Sequence, residues 1–316
     1  MRSEAHSLPK PFLERLHRII PSQKFDAIAN TFTEPKPTTF RINSLKISRE
    51  QIRKQLEKQG FGLASVSWYP DVFILRKGRL RELEKTESYL KGEIYVQGLS
   101  SMIPPLVLDP KPGERVLDLA AAPGSKTTQM ACLMNNEGQI VANDSDKIRS
   151  EKLKANVALQ GAENVQIILD YGESVGKKHP EHFDRVLLDA PCSAEGRFNT
   201  REPSSYRYWK PGTVLEMAKL QKKLFASAFS ALKPGGTLVY STCTFAPEEN
   251  EAVLSDALEK FGGQIEIEAI HLSISNKTTG LSVWEGKQFR PSVKKALRIL
   301  PIPEMEGFFV ARIQKK

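Results

Sequence analysis

The chain has 316 residues, 40% of them hydrophobic and 26% charged, enough to bury a full core and to hold two domains. No apolar run approaches the roughly 20 residues that span a bilayer, and Met1-Arg2-Ser3-Glu4-Ala5-His6 lacks the apolar core of a signal peptide, so a cytoplasmic protein is expected. The net charge of +9 favours a polyanionic partner. Three scattered cysteines make neither a disulfide framework nor a zinc spacing, so no metal is expected.

Residues 1–97 read as a small α/β unit. Phe12, Leu16, Ile19 and Ile20 share a helical face. Glu34-Pro35-Lys36-Pro37 breaks any helix, and Thr38-Thr39-Phe40-Arg41-Ile42 alternates like a strand. Ser48 and Gln51 form a capping-box pair for a helix that Gly60 ends, and residues 66–75 read as a second strand region. A unit of this make-up suits RNA positioning, in the manner of an RRM-like module. Gly60-Phe61-Gly62 only superficially matches an RNA-stacking motif, because Leu63 and Ala64 stand where further aromatics are needed.

From Gly98 onward strand and helix alternate, as in a parallel sheet. Strands are expected over 115–119, 139–143, 165–169, 184–188 and 237–240, and a closing antiparallel pair over 264–270 and 308–313. Helices are expected over 147–159, behind a capping box of Thr213 and Glu216, and from Pro247. Lys233-Pro234-Gly235-Gly236 is expected to end the second of these.

Three successive strands end on an acid, Asp144, Asp170 and Asp189, and the first opens into a small-residue turn. This is the layout of a nucleotide site at the carboxyl edge of an α/β sheet. Gly124-Ser125-Lys126-Thr127 is no phosphate loop, since Ser125 stands where that motif needs glycine, and a Gly-x-Gly-x-x-Gly fingerprint is absent. Cys132 sits among Met130 and Met134 and reads as core. Cys192 and Cys243 each lie just past a strand end and meet in one crevice if those strands are neighbours. Two thiols without further soft ligands suit nucleophilic chemistry on an electrophilic ring carbon; the bland alternative is a pair of small buried hydrophobes. The basic and aromatic run of Arg197, Phe198, Tyr206, Arg207, Tyr208, Trp209 and Lys210 reads either as an RNA grip or as a folded lid.

Taken together, the motifs resemble the Sun family of S-adenosylmethionine-dependent RNA (cytosine-5) methyltransferases. The resemblance rests on Thr39-Phe40-Arg41-Ile42-Asn43, Ala121-Ala122-Pro123-Gly124-Ser125-Lys126-Thr127, Asp189-Ala190-Pro191-Cys192-Ser193, Tyr240-Ser241-Thr242-Cys243-Thr244, Pro247-Glu248-Glu249-Asn250-Glu251 and Gly307-Phe308-Phe309-Val310-Ala311. Departures are Ala120 for a common cysteine, Ser125 and Ala194 for glycines, and Ile302 for a frequent histidine.

The resemblance implies a Rossmann-like methyltransferase fold over 98–316, with a mostly parallel seven-stranded sheet, acting as a monomer on tRNA or rRNA. It implies Cys243 as nucleophile, Cys192 in product release, Asp189 binding the base and stabilising charge, and Lys126 organising the site. It implies S-adenosylmethionine contacts from Ala120, Ala121, Ala122, Pro123, Gly124, Ser125, Lys126, Asp144, Arg149, Asp170 and Asp189. The rivals are methylation at carbon 5 of uracil and an inactive RNA-binding assembly factor.

Overall fold

The computed structural model describes residues 8–316; the stretch 1–6 discussed above lies outside them. Two helices, α1 (Lys10–Ile19) and α2 (Ser22–Asn30), lead into a small sheet unit. That unit runs β1 (Thr39–Ile42), α3 (Arg49–Lys58), β2 (Gly62–Ser65), β3 (Val72–Lys77), the single turns α4 (Leu80–Leu83) and α5 (Glu87–Leu90), and β4 (Ile94–Val96). Its four strands are antiparallel in the order β2-β3-β1-β4, a β-α-β-β-α-β arrangement. Ser48 and Gln51 cap α3 as a box, as expected. Of the strand region expected over 66–75, only the part from Val72 on is strand, in β3; residues 66–71 are the turn that joins it to β2, where Pro70 cannot donate to a ladder.

The large unit begins with α6 (Ile103–Leu108) and then alternates: β5 (Arg115–Asp118), α7 (Ser125–Leu133), β6 (Gln139–Asp144), α8 (Lys147–Gln160), β7 (Val165–Leu169), α9 (Gly172–Lys178), β8 (Phe183–Asp189), α10 (Pro211–Ala231), β9 (Leu232–Thr242) and α11 (Glu251–Phe261). β10 (Ile265–Glu268), β11 (Lys277–Thr279), the two-residue hairpin strands β12 (Val283–Trp284) and β13 (Lys287–Gln288), β14 (Leu297–Ile299) and β15 (Phe308–Lys315) follow. The main sheet has nine strands, ordered β11-β14-β15-β9-β8-β5-β6-β7 with β10 also on β15. The expected seven are there, including the antiparallel β10–β15 pair; β14 and β11 are short additions beyond it. The five strands β7-β6-β5-β8-β9 are parallel, and Val186, Leu187 and Leu188 at their centre are fully buried, as helices on both faces require.

Three local expectations differ. Pro211 itself opens α10, with Lys210 as cap and no side-chain capping bond, so Thr213 and Glu216 make no box. The Lys233-Pro234-Gly235-Gly236 run lies inside β9, opposite a register shift in β8. Asn250 is the residue before α11, so Pro247 and its neighbours form a turn instead of the first helical residues.

One hydrophobic layer lies beneath α9, α10 and α11, and Phe12, Leu16, Ile19, Ile28 and Phe32 from α1, α2 and the following turn belong to it. The other lies beneath α6 and α7 and takes in Val72 and Ile74 from the small sheet. The small sheet's alternate residues, Phe40, Ile42, Phe73 and Leu75, pack instead under α3. Both faces of the small sheet are therefore covered.

That docking is fixed by polar groups from the Thr39-Phe40-Arg41-Ile42-Asn43 motif. Arg41 is fully buried and donates to Gln97 Oε1 at 3.0 Å and Thr128 Oγ1 at 2.5 Å, lying over the Tyr95 ring. Asn43 donates to the carbonyls of Gly92 and Gln160. The Cys132 thiol is buried beside both, 3.3 Å from Asn43 Oδ1, so it is a core residue at this seam. Among the described residues, no helix is long and apolar enough to cross a membrane.

Candidate active site at the carboxyl ends of the strands

The strands β5, β6, β8 and β9 end around one cavity of about 570 Å³. Its wall on the β5 side is the turn 120–123, where three alanines put nothing larger than a methyl group inward. Gly124 follows at φ +102°, and a Cβ there would meet Leu153 at 2.8 Å, so the tight turn against α8 requires glycine. Asp144 holds the turn: its carboxylate accepts from the Ala122 amide at 3.1 Å and the Asp146 amide at 3.0 Å, and lies 3.4 Å from the Arg149 guanidinium. Arg149 also donates to the Ala122 carbonyl. Small residues, backbone and a fixed carboxylate leave a space of the size that takes a nucleoside with its substituent.

On the other side Lys126, in the first turn of α7, reaches across the sheet edge. Its ammonium lies 2.6 Å from Asp189 Oδ2 and donates to Ser101 Oγ at 2.8 Å. Ser241 Oγ donates to the other Asp189 oxygen at 2.7 Å. The Asp189 carboxylate is thus aimed by two partners, one on α7 and one on β9.

Because β8 and β9 are neighbours in register, with Asp189 opposite Ser241, the loops that leave them run side by side. Cys192 Sγ and Cys243 Sγ are 3.4 Å apart. The Cys243 hydrogen bond, then burial, then the negative charge of Cys243 and Glu249 push the Cys192 thiol up well beyond its ordinary range. The Cys192 thiol therefore keeps its proton at neutral pH.

The residues singled out in the sequence fall into three groups. Ala120, Ala121, Ala122, Pro123, Ser125, Lys126, Asp144, Arg149, Asp189, Cys192 and Cys243 line the cavity. Gly124 shapes its wall from behind. Asp170 is not part of the lining: its carboxylate is bound to Lys178 at 2.5 Å and to Ser174 and the Tyr171 amide. The aromatic run divides too, since Phe198 is buried against Phe12 and Trp209 and Tyr206 against Phe198, whereas Tyr208 is 77% exposed under Arg207.

Several residues of the site were not picked out from the sequence. Asp118 lines the cavity, and burial pushes its carboxyl up to about 7 against the Thr127 hydrogen bond and the charge of Lys126. An acid within the otherwise apolar β5 was the signal. Glu306 also lines it, raised by burial against Arg197, Lys36 and Lys126; nothing local in the sequence marks it, because it arrives from the loop before β15.

Similarity to known proteins agrees with this geometry. The family model described as 16S rRNA methyltransferase RsmB/F matches residues 105–314, and that for the N-terminal domain of 16S rRNA methyltransferase RsmF matches residues 8–98. The chain is 39% identical over 98% of its length to the ribosomal RNA small subunit methyltransferase F of Vibrio parahaemolyticus, of which it spans 63%. It is 39% identical over 99% of its length to the tRNA (cytosine(49)-C(5))-methyltransferase of Pyrococcus abyssi, of which it covers 98%. Among solved structures, a methyltransferase homologue from Pyrococcus horikoshii superposes with a TM-score of 0.81 at 35% identity, covering 98% of this chain and 100% of that one. The chain belongs to the RsmB/F family of Sun-type methyltransferases.

Proposed function

We propose that the protein methylates carbon 5 of cytosine in tRNA or rRNA, as a monomer in the cytoplasm, with S-adenosylmethionine as methyl donor. The observation that carries this reading is the 3.4 Å approach of Cys192 and Cys243 beside the Lys126-bound carboxylate of Asp189. The turn 120–124, Asp144 and Arg149 are the residues to hold the donor, with Asp170 at the rim once Lys178 yields. When bound, S-adenosylmethionine supplies an electrophilic methyl group.

Carbon 5 of cytosine is a poor nucleophile until the ring's conjugation is broken. Cys243 adds to carbon 6 as a thiolate, and the electrons this displaces raise the electron density at carbon 5 and the ring nitrogen. Asp189 faces the ring nitrogen and the amino group, and the Lys126 ammonium beside it offsets the growing charge. Cys192 holds its proton while Cys243 adds to the ring. With Cys243 bonded to carbon 6 and carbon 5 methylated, the Cys243 hydrogen bond and charge no longer act on Cys192, though burial and Glu249 still do; Cys192 gives its thiol proton to solvent and its thiolate takes the carbon 5 proton. Elimination of Cys243 then restores the ring. The 3.4 Å contact, in which either sulfur can donate, supports a shared role for the two thiols, and the family resemblance supports their order.

The target base must be single-stranded or flipped to reach the cavity. The N-terminal region, residues 1–97, serves as the RNA-positioning domain, with the small sheet from β1 to β4 as its body. Because both faces of its sheet are covered, RNA lies along its edges and loops instead of stacking on the sheet as on an open RRM. Exposed Arg207 and Tyr208 are the stacking and phosphate contacts of the lid.

Bisulfite sequencing of tRNA and rRNA incubated with purified protein and S-adenosylmethionine tests the reading. We expect protection at discrete cytosines only when both are present. Tritiated methyl groups recovered in 5-methyluridine, with no protected cytosine, would overturn it in favour of uracil.

A further inference from the structure

The Pro247-Glu248-Glu249-Asn250-Glu251 motif is not used by the chemistry above, yet each of its polar side chains is bound under the two cysteines or anchors the turn that carries them. Glu248 accepts from Arg15 at 2.6 Å and from Trp284 Nε1 at 2.9 Å. Asn250 accepts from Thr242 Oγ1 at 2.6 Å and donates to the Thr244 carbonyl. Glu251 is paired with Arg298. Glu249 does something else.

Its Oε2 accepts from the Ser193 amide at 2.9 Å and from Gln221 Nε2 at 2.8 Å, while its Oε1 is hydrogen-bonded to Ser193 Oγ. Ser193 Oγ is 2.8 Å from Thr244 Oγ1, and Thr244 Oγ1 is 3.0 Å from Glu195 Oε2. Ser193 follows Cys192, and Thr244 follows Cys243. The row Glu249–Ser193–Thr244–Glu195 therefore joins the two thiol-bearing loops one residue beyond each sulfur, and both carboxyls are buried.

Counting protons in this row is decisive. It contains three oxygen–oxygen contacts but only two hydroxyl protons, and each hydroxyl donates once. With both carboxyls ionised, Ser193 and Thr244 each donate outward, and their oxygens face one another with no hydrogen between them. A third proton completes the row. Each carboxyl has three donors, but both Glu195 oxygens accept from outside the row, Oε1 from Trp209 Nε1 and Oε2 from the Phe245 amide, and Arg15 is near, whereas Glu249 Oε1 faces Ser193 Oγ alone. The proton therefore sits on Glu249 Oε1, pointing at Ser193 Oγ.

We propose that Glu249 is a positioning residue for the thiol pair, holding Cys192 and Cys243 in register through one proton that it contributes to the Ser193–Thr244–Glu195 row. The role rests on the two-thiol chemistry proposed above; the proton does not. Burial supports it by pushing the Glu249 carboxyl up to about 7 against the Ser193 and Gln221 hydrogen bonds. The charged and titratable groups facing the row are Arg15 from α1, Glu248 beside it, Cys192 from the loop after β8 and Tyr240 from β9, and beyond Tyr240 lie Asp189 at the end of β8 and Glu251 from α11. Arg15 is already paired with Glu248 and Arg298 with Glu251, so neither cation is left over to match a second negative charge on the row.

The test compares wild type with Glu249→Gln, whose amide can donate to Ser193 Oγ at every pH while its carbonyl accepts from the Ser193 amide. In infrared pH titrations, a carboxylic-acid band that disappears as the pH rises through about 7 is expected in wild type and missing from the variant. Asp118 contributes equally to both proteins and cancels. The second reading is the rate at which diamide, a two-electron oxidant reduced to its hydrazine, joins the two thiols as a disulfide, followed by mass spectrometry. The ratio of that rate in Glu249→Gln to that in wild type should rise through the same pH range, since only wild type loses its third proton. Glu249→Ala should slow thiol joining and methyl transfer on the order of 10²-fold, the effect of a misplacement of about 1 Å; Ser193→Ala serves if that variant fails to fold. An identical acid band in both proteins overturns the shared proton, and a flat ratio overturns the positioning role. If wild type methylates no RNA, the functional reading fails while both measurements still decide this one.

Discussion

The two ends of the parallel strands are built from the same residue types and behave in opposite ways. At the amino end, Arg185 grips Glu114 through Nε at 2.9 Å and Nη2 at 3.1 Å, and Lys233 pairs with Asp184 at 2.6 Å. Burial works against the Asp184 charge, but Lys233 and the Arg115 amide outweigh it and its pKa is lowered. At the carboxyl end, Asp118 and Glu249 are pushed up to about 7 and Glu306 is raised as well. One edge closes its charges into pairs; the other keeps acids in excess of bases and holds protons in reserve. Perturbed acids gathered around a cavity mark where a sheet does chemistry, and here the contrast is drawn within one molecule.

The strongest way to break this contrast is at the thiols. Cys243→Ala is expected to abolish methylation, whereas Cys192→Ala should accumulate a covalent protein–RNA complex that survives denaturing electrophoresis. Turnover by Cys243→Ala, or no complex with Cys192→Ala, would undo the division of labour at the carboxyl edge. At the amino edge the expected effect is smaller and of another kind. Arg185→Ala should cost about 2 kcal/mol in urea unfolding, below the 3–5 kcal/mol of a fully buried pair, with kcat unchanged. A loss of activity at unchanged stability would erase the distinction between the ends.

The smallest effects are in the pH dependence of stability, where the two ends have opposite signs. Asp118 and Glu249 are protonated in the folded state well above the ordinary carboxylate range, so their contribution is present at low pH and is lost as pH rises through about 7. Asp184 has a lowered pKa, so its contribution is present above the unfolded value and is lost as pH falls through the folded one. Melting temperatures measured across pH should show Asp118→Asn removing a decline that runs from the ordinary carboxylate range up to about 7, and Lys233→Ala flattening the acid limb below it. The reverse assignment would mean that the carboxyl-edge acids are ionised after all.

Much of the carboxyl edge is legible in the sequence because it is local. Asp144, Asp189, Cys192 and Cys243 each end or follow an apolar run, and a parallel sheet brings such ends together. What the sequence hides is long-range. Asp170 has the same strand-end position, yet Lys178 two turns further along α9 occupies its carboxylate. Glu306 and Glu195 reach the site from loops with no periodicity, and the role of Glu249 depends on two hydroxyls from other loops. The capping box read at Thr213 and Glu216 failed because Pro211 starts the helix without one. Likewise, the pattern of residues 10–30 shows an amphipathic helix but not its partner, and α1 packs under the large sheet instead of the small one.

The docking of the small sheet bears on how such a protein could be re-engineered. Arg41 is held by Thr128 and Gln97, and Asn43 by the end of α8; α7, which carries Thr128, also carries Lys126. A recognition unit swapped in from a relative would strand a guanidinium or leave its acceptors empty unless Gln97, Thr128 and the Gln160 turn came with it. The crossover point for a working chimera is therefore inside the catalytic unit, beyond α8, and not at the apparent seam near Gly98. Retargeting this scaffold means transplanting an interface, and the piece to be moved includes part of the active site.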